Sequence, residues 1–137
     1  MIAKNVTEVE GIPVRETMYK GERRVVTGVT IRWLSKVGKD QNGQPEYGLR
    51  HFTVEPDGVI PAHSHFYLQT MYIESGTFEC FAYDPETDEP VASKICKQGD
   101  WVYSGAHEPH GMRNVSDSEP GTFLCCICNV YDNDEAL

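Results

Sequence analysis

Short runs of alternating apolar and polar residues, each closed by glycine or proline, fill most of the chain, and none carries a helical period. Residues 25–37 (VVTGVTIRWLSKV) read as one long strand or two joined by a bend. Residues 38–45, with an Asn-Gly pair, read as a loop, residues 47–55 as a strand and Pro56-Asp57-Gly58 as a turn. Further strands are expected over residues 62–67, 69–73, 77–83, 92–97, 100–103, 110–115 and 122–130, with residues 84–90 (DPETDEP) forming a polar hairpin loop. Many short strands at regular spacing predict an all-β fold, a sandwich or a closed barrel, with a pocket walled by the inward residue of each alternating pair. Residues 1–24 are expected to form an arm that frays or pairs with a partner subunit, residues 25–131 the barrel, and residues 132–137 an acidic tail.

At 137 residues the chain is one domain, with 39% apolar and 24% charged residues. Its formal charge of −9 repels phosphate backbones, which argues against nucleic acid as a partner. No run is long enough to span a membrane, and the start, MIAKNVTEVEG, has no signal-peptide core. The odd number of cysteines, five, then points to reduced thiols and a cytoplasmic protein. Cys125, Cys126 and Cys128 lie in an apolar run where alternation sends Cys126 and Cys128 one way and Cys125 the other. They read as small hydrophobes rather than ligands.

Chemistry concentrates on histidine. His63 and His65 form a His-x-His pair, Gln69 follows four residues later, and His110 opens a second cluster that ends at Asn114. Positions i, i+2 and i+6 share parity, so on extended chain His63, His65 and Gln69 face one way. With His110 these four donors, from two distant strands, are candidate ligands of one divalent metal.

These residues resemble the two motifs of the cupin superfamily, G-x5-H-x-H-x(3,4)-E-x6-G and G-x5-P-x-G-x2-H-x3-N. The first stands here as Asp57-Gly58-Val-Ile-Pro-Ala-His63-Ser-His65-Phe-Tyr-Leu-Gln69, then six residues to Gly76; the second as Gly99-Asp100, then Gly105-Ala-His107-Glu-Pro-His110-Gly-Met-Arg-Asn114. The phrases LRHFTVEPDG, HSHFYLQ, EPHGMRN and TFLCC are similar to small single-domain cupins, some of which bind manganese or iron. The resemblance implies a double-stranded β-helix barrel of jelly-roll type, a homodimer, a small-molecule substrate and one transition metal: iron or manganese first, zinc, nickel or cobalt otherwise. The chain departs from the motifs at Asp57, Gly105 and His107, and above all at Gln69, which replaces the motif's glutamate. His107 reads as a loop residue, with a group behind the ligands or an extra donor as alternatives.

Three histidines leave a metal open positions for water or substrate. A neutral amide beside them leaves about one more unit of positive charge than a carboxylate would. The ion is then a stronger Lewis acid and holds an anion better, while a proton acceptor is lost. Gln69 either ligates or hydrogen-bonds a ligated oxygen. Arg50 shares parity with Phe52 and Val54; facing the barrel interior, it would anchor a substrate carboxylate or enolate. Met71, Ile73, Phe123 and Cys125 are expected on the walls, with Tyr67 and Trp101 as candidates for the rim. The leading expectation is an oxidoreductase, a dioxygenase acting on a small, enolisable organic substrate, with Arg50 and Gln69 as its catalytic residues. The alternatives are a non-redox metal-dependent isomerase, lyase or cyclase, and a non-catalytic small-molecule binder.

Overall fold

The computed structural model describes residues 1–39, 43 and 45–128. The end of the last expected strand, the acidic tail and part of the 38–45 loop lie outside the described residues. Nine strands follow a single 3-10 turn at Val6–Glu8: β1 Ile12–Tyr19, β2 Glu22–Val37, β3 Tyr47–His63, β4 Leu68–Ser75, β5 Thr77–Tyr83, β6 Pro90–Lys97, β7 Trp101–Ser104, β8 His110–Asn114 and β9 Gly121–Cys128. No helix among the described residues is long and apolar enough to cross a membrane.

The strands form one continuous sheet in the order β6-β5-β8-β3-β9-β4-β7, with the β1–β2 hairpin joined to β3 through β2. This is the expected all-β jelly-roll barrel. Every pairing is antiparallel. The long strand β3 belongs to both layers. Residues 47–54 pair with β9, whereas Val59, Ile60 and His63 pair with β8.

The turn expected at Pro56-Asp57-Gly58 is therefore a bend inside one strand. Asp57 takes φ +58° and the strand changes partners there without ending. Across from it, Gly28 takes φ +67° where the β2–β3 register shifts, so both strands kink together. The clasp is Asn114, 1% exposed, at the end of β8. Its Nδ2 group donates to the carbonyls of Val54, Glu55 and Glu119 at 3.1, 3.3 and 2.8 Å, and its Oδ1 accepts from Ser116 N–H at 3.0 Å. The amide thereby ties the bend of β3 to the loop that leads into β9 and satisfies carbonyls on both.

A second correction concerns the strand expected over residues 62–67. β3 ends at His63, and residues 64–67 cross from one layer to β4 in the other. The arm, in contrast, contains real structure. β1 pairs with β2 of its own chain and is anchored where Tyr19 Oη donates to Asp88 Oδ1 at 2.8 Å. Between the layers Phe123 stacks on Phe52 with centroids 4.8 Å apart and meets Phe78 edge-on at 5.7 Å. Val54, Ile73 and Ile127 complete this core.

Asn114→Ala removes the clasp and leaves buried carbonyls unpaired, so it should lower unfolding free energy by about 2–4 kcal/mol. Denaturant unfolding measures this. A loss within about 0.5 kcal/mol, the usual range for surface changes, would show that the bend holds without the amide.

Candidate metal centre

His63 closes β3 and His110 opens β8, and the two stand opposite each other in the β3–β8 register. His65 comes from the crossing loop. One donor nitrogen from each of the three lies within 4.8 Å of the others. Strand parity does not bring them together as the sequence spacing suggested, because His65 and Gln69 no longer share a strand with His63. The loop does so by curling back over the barrel mouth, held by His107 N–H donating to the His65 carbonyl at 2.6 Å and by His65 stacking on Tyr67 at 4.5 Å.

Hydrogen bonds set the tautomers. His63 Nδ1 lies 2.9 Å from the Pro61 carbonyl and His110 Nδ1 lies 2.8 Å from that of Glu108. A carbonyl only accepts, so each Nδ1 carries the hydrogen and each Nε2 offers its lone pair. Burial lowers all three imidazole pKa values. Desolvation, with repulsion from His110, holds His63 at about 4, and desolvation, with repulsion from His63, holds His65 at about 2. Desolvation also lowers His110, partly opposed by the Glu108 carbonyl. Neutral, convergent, oriented imidazoles are the donor set that a divalent first-row metal takes, so His63, His65 and His110 fit one.

Gln69, on β4, and Arg50, on the first half of β3, are both buried beside this cluster. Arg50 Nη2 donates to Gln69 Oε1 at 3.3 Å and contacts Cys125 Sγ at 2.9 Å. Gln69 Nε2 lies 2.7 Å from His110 Nε2. No carboxylate of the described residues pairs with Arg50. Its cation instead sits 5.2 Å from the Phe52 ring and 5.5 Å from the Trp33 ring, and its Nε has no partner. Burial raises the pKa of the neighbouring Tyr67 hydroxyl and of the Cys125 thiol, against the pull of Arg50.

Arg50, Gln69, Cys125 and the three histidines line a cavity of about 140 Å³, and Tyr67 packs in the core instead. Met71, Phe123 and Cys125 are on its walls, as parity indicated, whereas Ile73 packs into the core behind. Cys125 points inward and is buried, while Cys126 and Cys128 are half-buried on the other face. Trp101 is 68% exposed and does not touch this cavity. His107 is an exposed loop residue at φ +63°. Gly105 N–H is held by the Glu108 carboxylate at 2.6 Å, which shapes the turn leading into His110.

Sequence reasoning missed the third wall, made by Val14, Glu16 and Thr17 of β1. Here the β1–β2 register shifts between Val14 and Glu16, breaking the alternation so that consecutive residues reach the cavity. Glu16 is its one carboxylate among the described residues, with Arg23 as a loose, exposed partner at 3.4 Å. No sequence signal marks it, because the pairing of β1 is not written in local alternation. The contact between His51 Nε2 and Glu74 Oε2, 2.8 Å, with His51 buried and Glu74 half-buried, was also missed; β3 alternation places it on the opposite face from Arg50.

A family model described as "Cupin domain" matches residues 50–127. No curated protein matches the sequence. Among solved structures the fold is similar to that of the polyketide cyclase RemF from Streptomyces resistomycificus, with TM-score 0.68 and 22% identity over 98% of this chain and 88% of that one. KdgF from Halomonas sp. is similar at TM-score 0.64 and 15% identity, over 96% and 95% of the two chains. An oxalate oxidase structure is similar at TM-score 0.59 and 14% identity, over 74% of this chain and 51% of that one. With its model spanning more than half of the sequence, from Arg50 through all three histidines to the last strand, this chain belongs to the cupin family.

Proposed function

We propose that this cupin is a metal-dependent enzyme for a small anionic, enolisable substrate, and that it moves a proton rather than electrons. The observation that supports this most is Arg50: a buried guanidinium beside three neutral imidazoles, with no carboxylate of the described residues paired to it. A buried cation of this kind is costly until an anion arrives, so a carboxylate or enolate oxygen is its natural complement. A divalent metal held by His63, His65 and His110 would supply Lewis acidity toward a substrate oxygen. The cavity, about 140 Å³, is near the ~150 Å³ cavity that accommodates benzene, which limits the substrate to about one ring or a short-chain acid.

Removing a C–H proton next to a carbonyl needs a base, and the cavity offers few. The histidines are committed as donors, and burial raises the pKa of Cys125, which keeps its proton. Glu16 at the β1 wall remains. In this reading it takes the proton while the electron pair moves onto the carbonyl oxygen, where Arg50 stabilises the enolate. Isomerisation or cyclisation follows from that enolate, a reading supported by the likeness to the cyclase RemF along 98% of this chain. Oxygen-dependent cleavage of the same enolate is the second reading, supported by the likeness to oxalate oxidase and by a donor set that also suits iron and manganese.

Zinc-loaded protein should bind about one equivalent of metal and exchange the acidic C–H of small 2-oxo and 3-oxo acids with deuterium from solvent, followed by proton NMR. The His63→Ala, His110→Ala double variant should lose both. Arg50→Gln should keep the metal and raise the half-saturating concentration by about 10-fold or more, the worth of a charged hydrogen bond. Glu16→Gln should keep the metal and slow exchange by about 10²-fold or more, the usual contribution of a positioned base. Absence of exchange, with oxygen uptake by the iron- or manganese-loaded protein instead, would replace the first reading with the second.

The histidines also set a pH dependence for the metal-free protein. His63 titrates at about 4 when folded and near 6.5 when unfolded, so the unfolded chain binds the proton more tightly. The stability this neutral imidazole contributes is present above about pH 6.5 and is lost as pH falls towards 4. Melting temperature should fall across that window, and His63→Gln should flatten the fall. A variant with an unchanged acid limb would remove His63 from this role.

A further inference from the structure

The strands β6 and β7 stand at the two ends of the sheet order, and both line a second cavity of about 650 Å³. It shares only Met71, His110 and Gly111 with the first. Three of its lining residues form one group on the β5–β6 hairpin. Cys80 stands opposite Lys94 in the register, and Cys96 stands opposite Phe78, two residues along. Alternation therefore gives Cys80, Lys94 and Cys96 one face, the same from which Phe78 enters the core. Met71, from β4, lines the same cavity.

Both cysteines are free, Cys96 buried and Cys80 half-buried. They are diagonal neighbours across the ladder. Diagonal Cα atoms lie roughly 7–8 Å apart, beyond the ~4.4–6.8 Å that a disulfide spans, so two sulfurs so placed suit an ion between them better than a bond. Burial, and Cys96 beside it, push the Cys80 thiol up to about 12. At neutral pH Cys80 keeps its proton and is inert as a nucleophile, whereas a coordinating metal displaces such a proton outright. Zinc in a closed site asks for four ligands, which this group does not offer. Copper(I) is soft, monovalent and selected by thiolate and thioether sulfur. Two thiolates around it leave a net charge of about −1, and Lys94, which forms no ion pair among the described residues, stands beside them.

We propose that Cys80 and Cys96 form a copper(I) site, separate from the histidine centre, with the Lys94 ammonium balancing its charge and the Met71 thioether as a further donor. On binding, two S–H protons leave to solvent as two S–Cu bonds form, and no electrons change hands.

Copper(I) itself, titrated without oxygen against a chromophoric copper(I) chelator, tests this. Wild-type protein should hold it with an ultraviolet thiolate-to-copper band that saturates at one equivalent. The band should survive in the His63→Ala, His110→Ala double variant and in the Cys126→Ser, Cys128→Ser double variant. Cys80→Ala or Cys96→Ala should weaken binding by more than the roughly 10–100-fold that losing a mere support to a ligand costs. Lys94→Gln should weaken it about 10-fold, the order expected of one neighbouring unit charge. A band absent from the wild type, kept in Cys80→Ala, or lost with either double variant would overturn the proposal. An unchanged affinity in Lys94→Gln would remove the lysine from the site. Circular dichroism checks folding, and if neither single cysteine variant folds, the Cys126→Ser, Cys128→Ser variant decides: copper(I) kept there supports the site, and copper(I) lost overturns it.

Discussion

The bend in β3 is the constraint from which the site follows. A strand that stayed in one layer would carry Arg50 and His63 far apart and, being of opposite parity, onto opposite faces. Because β3 changes partners between Val54 and Val59, its first half delivers Arg50 to one wall and its end delivers His63 next to His110 on the other. Backbone carbonyls at the bend need donors, and Asn114 donates to Val54 and Glu55 there with one side chain. The same residue ends the strand that His110 begins. Metal donors and corner clasp are thus four residues apart on one short strand, so a disturbance of either reaches the other.

Charge distribution inside the barrel is the second determinant. The chain as a whole is strongly acidic, yet the buried part of its cavity holds a guanidinium, three neutral imidazoles and a neutral amide, with Glu16 at the exposed edge. Burying that cation without a counter-ion is tolerated through softer contacts: the faces of Phe52 and Trp33, the Gln69 oxygen and the Cys125 sulfur. None of these neutralises it. A site tuned only for stability would place a carboxylate here, and the motif position that ordinarily holds one is Gln69. The departure from the family pattern and the unbalanced charge are therefore one feature, not two.

The strands and donor residues were legible because they depend on local alternation and on spacing. Arg50, Phe52 and Val54 all turned inward, and Cys125 separated from Cys126 and Cys128, as period-2 reasoning requires. The convergence of His63, His65 and Gln69 was anticipated for the wrong reason: residues 64–67 are a crossing loop, and sequence alternation there does not distinguish a loop from a strand. Pro56-Asp57-Gly58 carries the signature of a turn, yet the clasp from Asn114, 58 positions beyond Pro56, keeps the strand going. Glu16 lay wholly beyond reach. Its place depends on the β1–β2 register shift, which arises from pairing between strands and leaves no mark on either one alone.

The two charged groups of the cavity stand at different depths, and this gives the site a direction. Arg50 is buried next to the histidines, while Glu16 belongs to an exposed stretch of β1 at the cavity's edge. In the proposed reading an anionic substrate passes a carboxylate that repels it to reach a guanidinium that holds it, which would put its charged end first and its carbon skeleton against Val29, Phe52, Met71 and Phe123. In that pose the carbon next to the bound oxygen faces the β1 wall. β1 is held by its ladder with β2 and, at its end, by Tyr19 and Lys20 on Asp88, so in the proposed reading the wall that carries the proton acceptor joins the rest of the barrel through β2. On that reading one hairpin would place the base, while β3, β4 and β8 hold Arg50, Gln69 and the histidine pair His63 and His110 in register.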